Sequence, residues 1–205
     1  LLSDTVNAVN LLFPAGERTE YTNTAYLLLG GILARATGRQ VIELYRDRLW
    51  RPLGLTGVFM PGADVPPGPV AAAEGRAGEV SPLEHMSLLT IGHSAFGLFA
   101  DAATVASWGH AFFTGQVVSA ERQLEMRTLE PAAGNIPGET GVGLGIRGYA
   151  YLDRQQYGHS GGMALASSLL LFDPELGITV AVLLNQGQNA GHFVLAPQLL
   201  AIAGR

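Results

Sequence analysis

From Asn23 onward, Tyr26, Leu27, Leu28, Leu29, Ile32, Leu33 and Ala36 make the chain apolar on nearly every side, and Gly38 stands where a C-cap glycine would. This pattern predicts a helix that is buried all round. The next segment, "RQVIELYRDRLWRPLG", places Val41, Leu44, Tyr45, Arg48 and Leu49 at helical spacing, pairs Asp47 with Arg51 four residues on, and stops at Pro52. The two segments predict a helical hairpin. Pro61, Pro66, Pro67 and Pro69 amid Ala and Gly then predict a loop over residues 61 to 80, too rich in proline for helix or strand. A third helix is predicted from Asp101, a good N-cap, with Val105, Trp108 and Phe112 on one face.

From about residue 140 the period changes. "GVGLGIRGYAYL", "ALASSLLLFD" and "ITVAVLLNQ" are short, apolar and rich in strand formers, and Asp173-Pro174-Glu175-Leu176-Gly177 supplies a turn between the last two. They predict an antiparallel meander, and a closing helix is expected from about Gly191 to Ala203. The fold class is therefore α+β, with a mainly helical part over 1–139 and a strand-rich part over 140–205.

Composition sharpens this picture in three places. In 205 residues, 48% are hydrophobic, only 14% are charged and the mean hydropathy is +0.25, so either most of the chain is buried or part of its cover lies elsewhere. No apolar stretch reaches the eighteen or so residues of a spanning helix. The net charge of −5, from 17 acids and 12 bases spread along the chain, leaves no basic stripe to track a phosphate backbone and argues against nucleic acid as a partner. There is no cysteine, so thiolate chemistry is excluded and the compartment is left open. The histidines at 85, 93, 110, 159 and 192 form no close ligand pair, so neither a metal nor another cofactor is expected. All twelve bases are arginine.

Two short motifs could carry chemistry. Tyr21-Thr22-Asn23 stands at a helix entrance and His159-Ser160-Gly161-Gly162 is placed to open a strand. Taken singly they have bland explanations. Asn23 could cap the helix, Tyr21 could be an amphipathic edge residue, His159 a satisfied structural histidine, and Gly161-Gly162 a bulge or a close strand approach.

In context the motifs read differently. "FPAGERTEYTNTAYLLLGGILARATG", "LYRDRLWRPLGL", "FGLFADAATVASWGHAFFTG" and "YGHSGGMALASSLLLFDPELGITVAVLLNQ" together resemble, in the right order, the serine β-lactamase-like family of class C β-lactamases, DD-peptidases, D-aminopeptidases and esterases. The resemblance implies a β-lactamase/transpeptidase-like fold: a helical lobe and an antiparallel sheet flanked by helices, both parts of one two-lobed catalytic domain with the active site in its cleft. It implies that Tyr21 relays protons to and from a serine nucleophile and that Asn23 hydrogen-bonds the substrate. His159, Ser160 and Gly161 match the family's Lys/His-Thr/Ser-Gly triplet on an edge strand, and the N–H of Gly162 would be an oxyanion donor. These roles are chemically coherent. A free phenol loses its proton only at a pH of about 10, so it acts as a base at neutral pH only beside a positive charge or donated hydrogen bonds.

The chain departs from the family at the nucleophile. Its Ser-x-x-Lys motif cannot occur in a chain without lysine. Ser3-Asp4-Thr5-Val6 has no base, and Ser119-Ala120-Glu121-Arg122 falls after the tyrosine motif and offers an arginine that does not deprotonate. On the resemblance, the chain is expected to match the C-terminal two-thirds of the fold, without the N-terminal strands and nucleophile helix. It is also expected to leave apolar surface for that segment or another chain to cover. The function expected is acyl transfer on an ester, amide or β-lactam by a serine hydrolase, with a small-molecule or peptide substrate. The alternatives are a nucleophile-free module that binds peptide or cell-wall ligands, and an interaction domain whose motifs serve only packing.

Overall fold

A computed structural model of the chain describes residues 12–75, 78–80, 94–132, 136–163, 165–187 and 190–205. The Ser3 mimic, His85 and His93 lie outside the described residues. Helix α1 spans Asn23–Thr37. Its N-cap is Thr22 rather than Asn23: the Thr22 hydroxyl accepts from the Thr24 N–H at 3.2 Å, so the Asn23 side chain is left for other work. Gly38 closes the helix at φ 68°, with its N–H on the Ala34 carbonyl at 2.9 Å. The expectation of all-round burial fails. Only Gly30 is buried, against Ser94, whose hydroxyl donates to the Tyr26 carbonyl at 2.7 Å, while Leu29, Ile32 and Leu33 are 52, 61 and 45% exposed. An apolar surround states that a helix prefers cover; the described residues do not supply it.

Helix α2 covers Val41–Tyr45, opened by a capping box between Gln40 and Glu43, and continues as a π-helical turn over Arg46–Trp50. The single α-helix expected up to Pro52 is thus corrected over its second half. Asp47 accepts from Arg51 and also from Arg39. Strand β1 (Val58–Phe59) pairs with β4 (Phe99–Ala100), and β2 (Ala73–Gly75) with β3 (Gly78–Val80). That second hairpin lies inside the segment expected to be loop, just past its last proline.

Helix α3 runs Ala102–Phe113 from the predicted cap, the Asp101 carboxylate accepting from the Thr104 N–H at 2.6 Å. The pattern did not predict α4, Ala120–Met126. Its cap is Ser119, whose hydroxyl accepts from the Arg122 N–H, which gives that serine a structural use.

The rest of the chain forms a five-stranded antiparallel meander, β5 (Glu139–Val142), β6 (Arg147–Tyr151), β7 (Arg154–Met163), β8 (Ala166–Asp173) and β9 (Ile178–Leu184), in spatial order β5-β6-β7-β8-β9. The stretch expected as one strand over 141–152 is split, because Gly145 takes φ 74° and the Gly143 N–H turns back onto the Ile146 carbonyl at 2.7 Å. Leu152 and Asp153, at φ 54° and 57°, make the tight turn into β7. The predicted Asp173 turn closes with the Gly177 N–H on the Asp173 carbonyl, while the buried carboxylate accepts from the Glu175 and Leu176 N–H groups and from Arg154 and Gln156.

Side chains alternate across the sheet and fill a core on each face. On one face Tyr149, Leu169, Leu171, Val180 and Val182 pack against Ala196 and Leu200 of α5, Gly191–Ala203. On the other, Ile146 and Phe172 pack with Phe113 of α3, the Phe113 and Phe172 rings stacked at 5.1 Å. Gly109 lets α3 approach this face, since a Cβ there would meet Leu170 at 2.6 Å. The outer side of α5 stays exposed at Val194 and Ile202, 59 and 64%.

Candidate active site

Tyr21 and Asn23 stand on the segment that enters α1, fixed by the Thr22 cap between them. The Tyr21 phenol donates to Asn23 Oδ1 at 3.0 Å, and the Tyr21 ring lies 5.8 Å from the His159 ring and 6.2 Å from that of Tyr26. The structure therefore brings together two motifs that the sequence keeps far apart.

His159 lies midway along β7 rather than opening a strand, and β7 is the third of five strands rather than an edge. Its pairing is nonetheless uneven. The ladder to β6 ends at Arg147↔Gly158, whereas the ladder to β8 continues to Met163↔Ala166. Among the described residues, His159 to Met163 thus have a partner strand on one side only, which recovers the edge character locally. Gly161 approaches β8 so closely that a Cβ would meet Ser168 Oγ at 2.4 Å; around Gly162 there is nothing within 4 Å. Both glycines are exposed. His159 is in register with Leu170, and Ser160 with Leu169, so the two side chains leave the strand on opposite faces, His159 on the face that α3 covers.

His159 Nδ1 sits 2.6 Å from the Ser160 carbonyl, a bond that requires the proton on Nδ1 and leaves Nε2 the acceptor of a neutral ring. Its pKa is lowered chiefly by burial, which outweighs the bond to that carbonyl; the positive charge of Arg147 lowers it further, and the negative charge of Glu139 opposes this. Near neutral pH His159 is uncharged.

Among the described residues the cation placed at the site is Arg147, which the sequence pattern shows only as part of a strand. Its Cζ lies 4.6 Å from the centre of the Tyr21 ring, and its Nη1 donates to Glu139 on the neighbouring strand. The side chains of this pair are only 8 and 2% exposed. The available signal was a lone charge inside an apolar strand, Ile146-Arg147-Gly148-Tyr149. Tyr149 is fully buried, and burial pushes its phenol up to about 12, so it stays protonated and is no rival base. Burial, with Tyr21 adding to it, likewise raises Tyr26. Among the described residues no group of three or more His, Asp or Glu is placed to hold a metal ion, and no helix is long and apolar enough to cross a membrane.

The profile of the Beta-lactamase family matches residues 2–205. The chain belongs to the Beta-lactamase family. Solved structures agree on the fold, the β-lactamase/transpeptidase-like α+β arrangement. D-amino acid amidase from Ochrobactrum anthropi SV3, complexed with L-phenylalanine amide, is 22% identical with a TM-score of 0.79 over 91% of this chain and 58% of its own. A D-stereospecific amidohydrolase from Streptomyces sp. is 23% identical with a TM-score of 0.74, over 90% of this chain and 56% of its own. An octameric penicillin-binding protein homologue from Pyrococcus abyssi is 26% identical with a TM-score of 0.77, over 94% of this chain and 44% of its own. This family member thus spans about half the length of these structures. No curated protein matches it.

Proposed function

We propose that this chain is the tyrosine-bearing and oxyanion-bearing part of a serine hydrolase that transfers the acyl group of a small amide or ester, with the attacking serine supplied by a segment outside residues 1–205. The observation that carries this is the meeting of Tyr21 and Asn23 with His159 beside the half-free end of β7. In the proposed mechanism the serine oxygen attacks the acyl carbon as Tyr21 takes its proton and passes it to the departing amine or alcohol. Water then releases the acyl group from the serine, and the Asn23 amide and the Ser160-Gly161 edge hold that group throughout. The Gly162 N–H stabilises the oxyanion, and losing one such donor typically costs about 3 kcal/mol of barrier. The exposed Leu29, Ile32 and Leu33 give a covering segment a place to pack.

The location of the nucleophile is tested by mass. Residues 1–205 treated with a fluorophosphonate are expected to gain no adduct, because Ser119 caps α4 and has no base beside it. The longer polypeptide is expected to gain one adduct at a serine upstream of Tyr21. An adduct on any serine of the chain itself would refute this placement. If neither polypeptide reacts or turns over substrate, the binding-module alternative takes its place.

The amide and ester preference rests on His159. A neutral imidazole cannot hold the carboxylate of a penicillin or cephalosporin as a permanent cation would. We therefore expect kcat/KM for p-nitrophenyl acetate and for D-phenylalanine amide to exceed that for nitrocefin at pH 7. Any nitrocefin turnover should rise toward low pH as His159 gains its proton. Nitrocefin turnover above that of the ester with no such rise would refute this account of His159.

A further inference from the structure

Resting on the acyl-transfer reading, we infer that Arg147, clamped by Glu139, is the positioning residue for Tyr21. Its guanidinium seats the ring against the sheet and keeps a permanent positive charge beside the phenol as charge appears on the Tyr21 oxygen during the relay. The need for such a device is visible in the bonding of Tyr21. The side chain is 46% exposed and its hydrogen bond, to Asn23, is made two residues away on its own segment. That bond cannot tie the entrance of α1 to the sheet. The contacts that reach the sheet are made by the ring, to His159 on β7 and to Arg147 on β6.

Of these two, Arg147 brings a guanidinium, whereas burial holds His159 neutral. Arg147 faces Gly158, the residue before His159, so one β6 position sits beside both parts of the site. Its planar group suits an aromatic face in a way that a lysine ammonium does not. Glu139 fixes the plane from the next strand. A buried Arg–Glu pair is weak evidence for stability, because desolvation offsets most of its attraction, and a pair placed for the ring beside it gives a reason for its presence.

The test uses the full-length protein with p-nitrophenyl acetate, an uncharged ester. Removing one charge alone could unfold the protein, so the double variant Arg147→Met, Glu139→Gln removes both, and Arg147→Lys serves as the milder change. The double variant is expected to lose roughly 100-fold in kcat, as misplacement by about 1 Å does, with KM within about threefold. Arg147→Lys should recover part of that loss. In a Tyr21→Phe background the same changes should cost little further, because both act through one phenol. A loss confined to KM, or full additivity with Tyr21→Phe, would overturn the inference.

A second readout needs no turnover. The Arg147 side-chain protons over the ring should show upfield-shifted NMR signals that return to normal in Tyr21→Leu. If the parent protein hydrolyses nothing, the acyl-transfer reading fails while this shift still decides whether the clamp exists; an unshifted signal would rule the clamp out.

Discussion

Tyr21→Phe in the full-length hydrolase is expected to lower kcat/KM by roughly 100- to 10,000-fold, the usual weight of a positioned acid–base group. The substitution removes a single atom from the site. Phenylalanine keeps the ring, and with it the contacts to His159, Tyr26 and Arg147. Among the described residues the lost hydroxyl is bonded to Asn23, on an exposed segment, so the melting temperature should stay within a few degrees of the parent. Activity and stability therefore separate: a large kinetic loss without a thermal shift marks the phenol as chemical, whereas a protein that melts early would mark it as structural. Retention of activity within tenfold would show that the proton travels by another route, and Tyr26, whose pKa burial raises, is the less suitable candidate.

How far such a site can be read from sequence depends on which forces are local. The cap at Asp101, the Asp173 turn and the closing helix from Gly191 to Ala203 all rest on contacts within a few residues, and the structure places them where the pattern does. The motif of Tyr21 and Asn23 was legible as a motif, but the cap belongs to Thr22, a difference of one residue that decides whether the Asn23 side chain is free to meet Tyr21. Other features depend on distant partners. Whether α1 is covered is a property of what packs on it, and its own apolar residues cannot report that. Arg147 stood out only as a lone charge in an apolar strand for the same reason, since its meaning comes from Glu139 on one side and from the distant Tyr21 ring on the other. The edge character of His159 to Met163 arises because β6 is shorter than β7, a matter of ladder length rather than composition.

Gly158→Ala is expected to be the most damaging single-methyl change near the site. Gly158 lies opposite Leu171 in the ladder from β7 to β8, and a Cβ built on it would fall 1.8 Å from the Leu170 carbonyl oxygen, 2.8 Å from that carbonyl carbon and 3.2 Å from the Leu171 Cα. All three are backbone atoms, so no side chain can turn aside, and the strands must part in a sheet whose core is already closed by α5 on one face and α3 on the other. The expected cost is about 3 kcal/mol or more, at or above the upper end for overpacking. Because the next residue is His159, whatever relaxes to admit the methyl also moves the imidazole away from Tyr21. Gly162→Ala is the matched control. Nothing lies within 4 Å of its added methyl, and it should change stability by less than about 0.5 kcal/mol. Urea unfolding of the parent and both variants measures the difference directly. Equal midpoints for the parent and Gly158→Ala would mean that the close approach of β7 to β8, and the seat it gives His159, is not what glycine is there to allow.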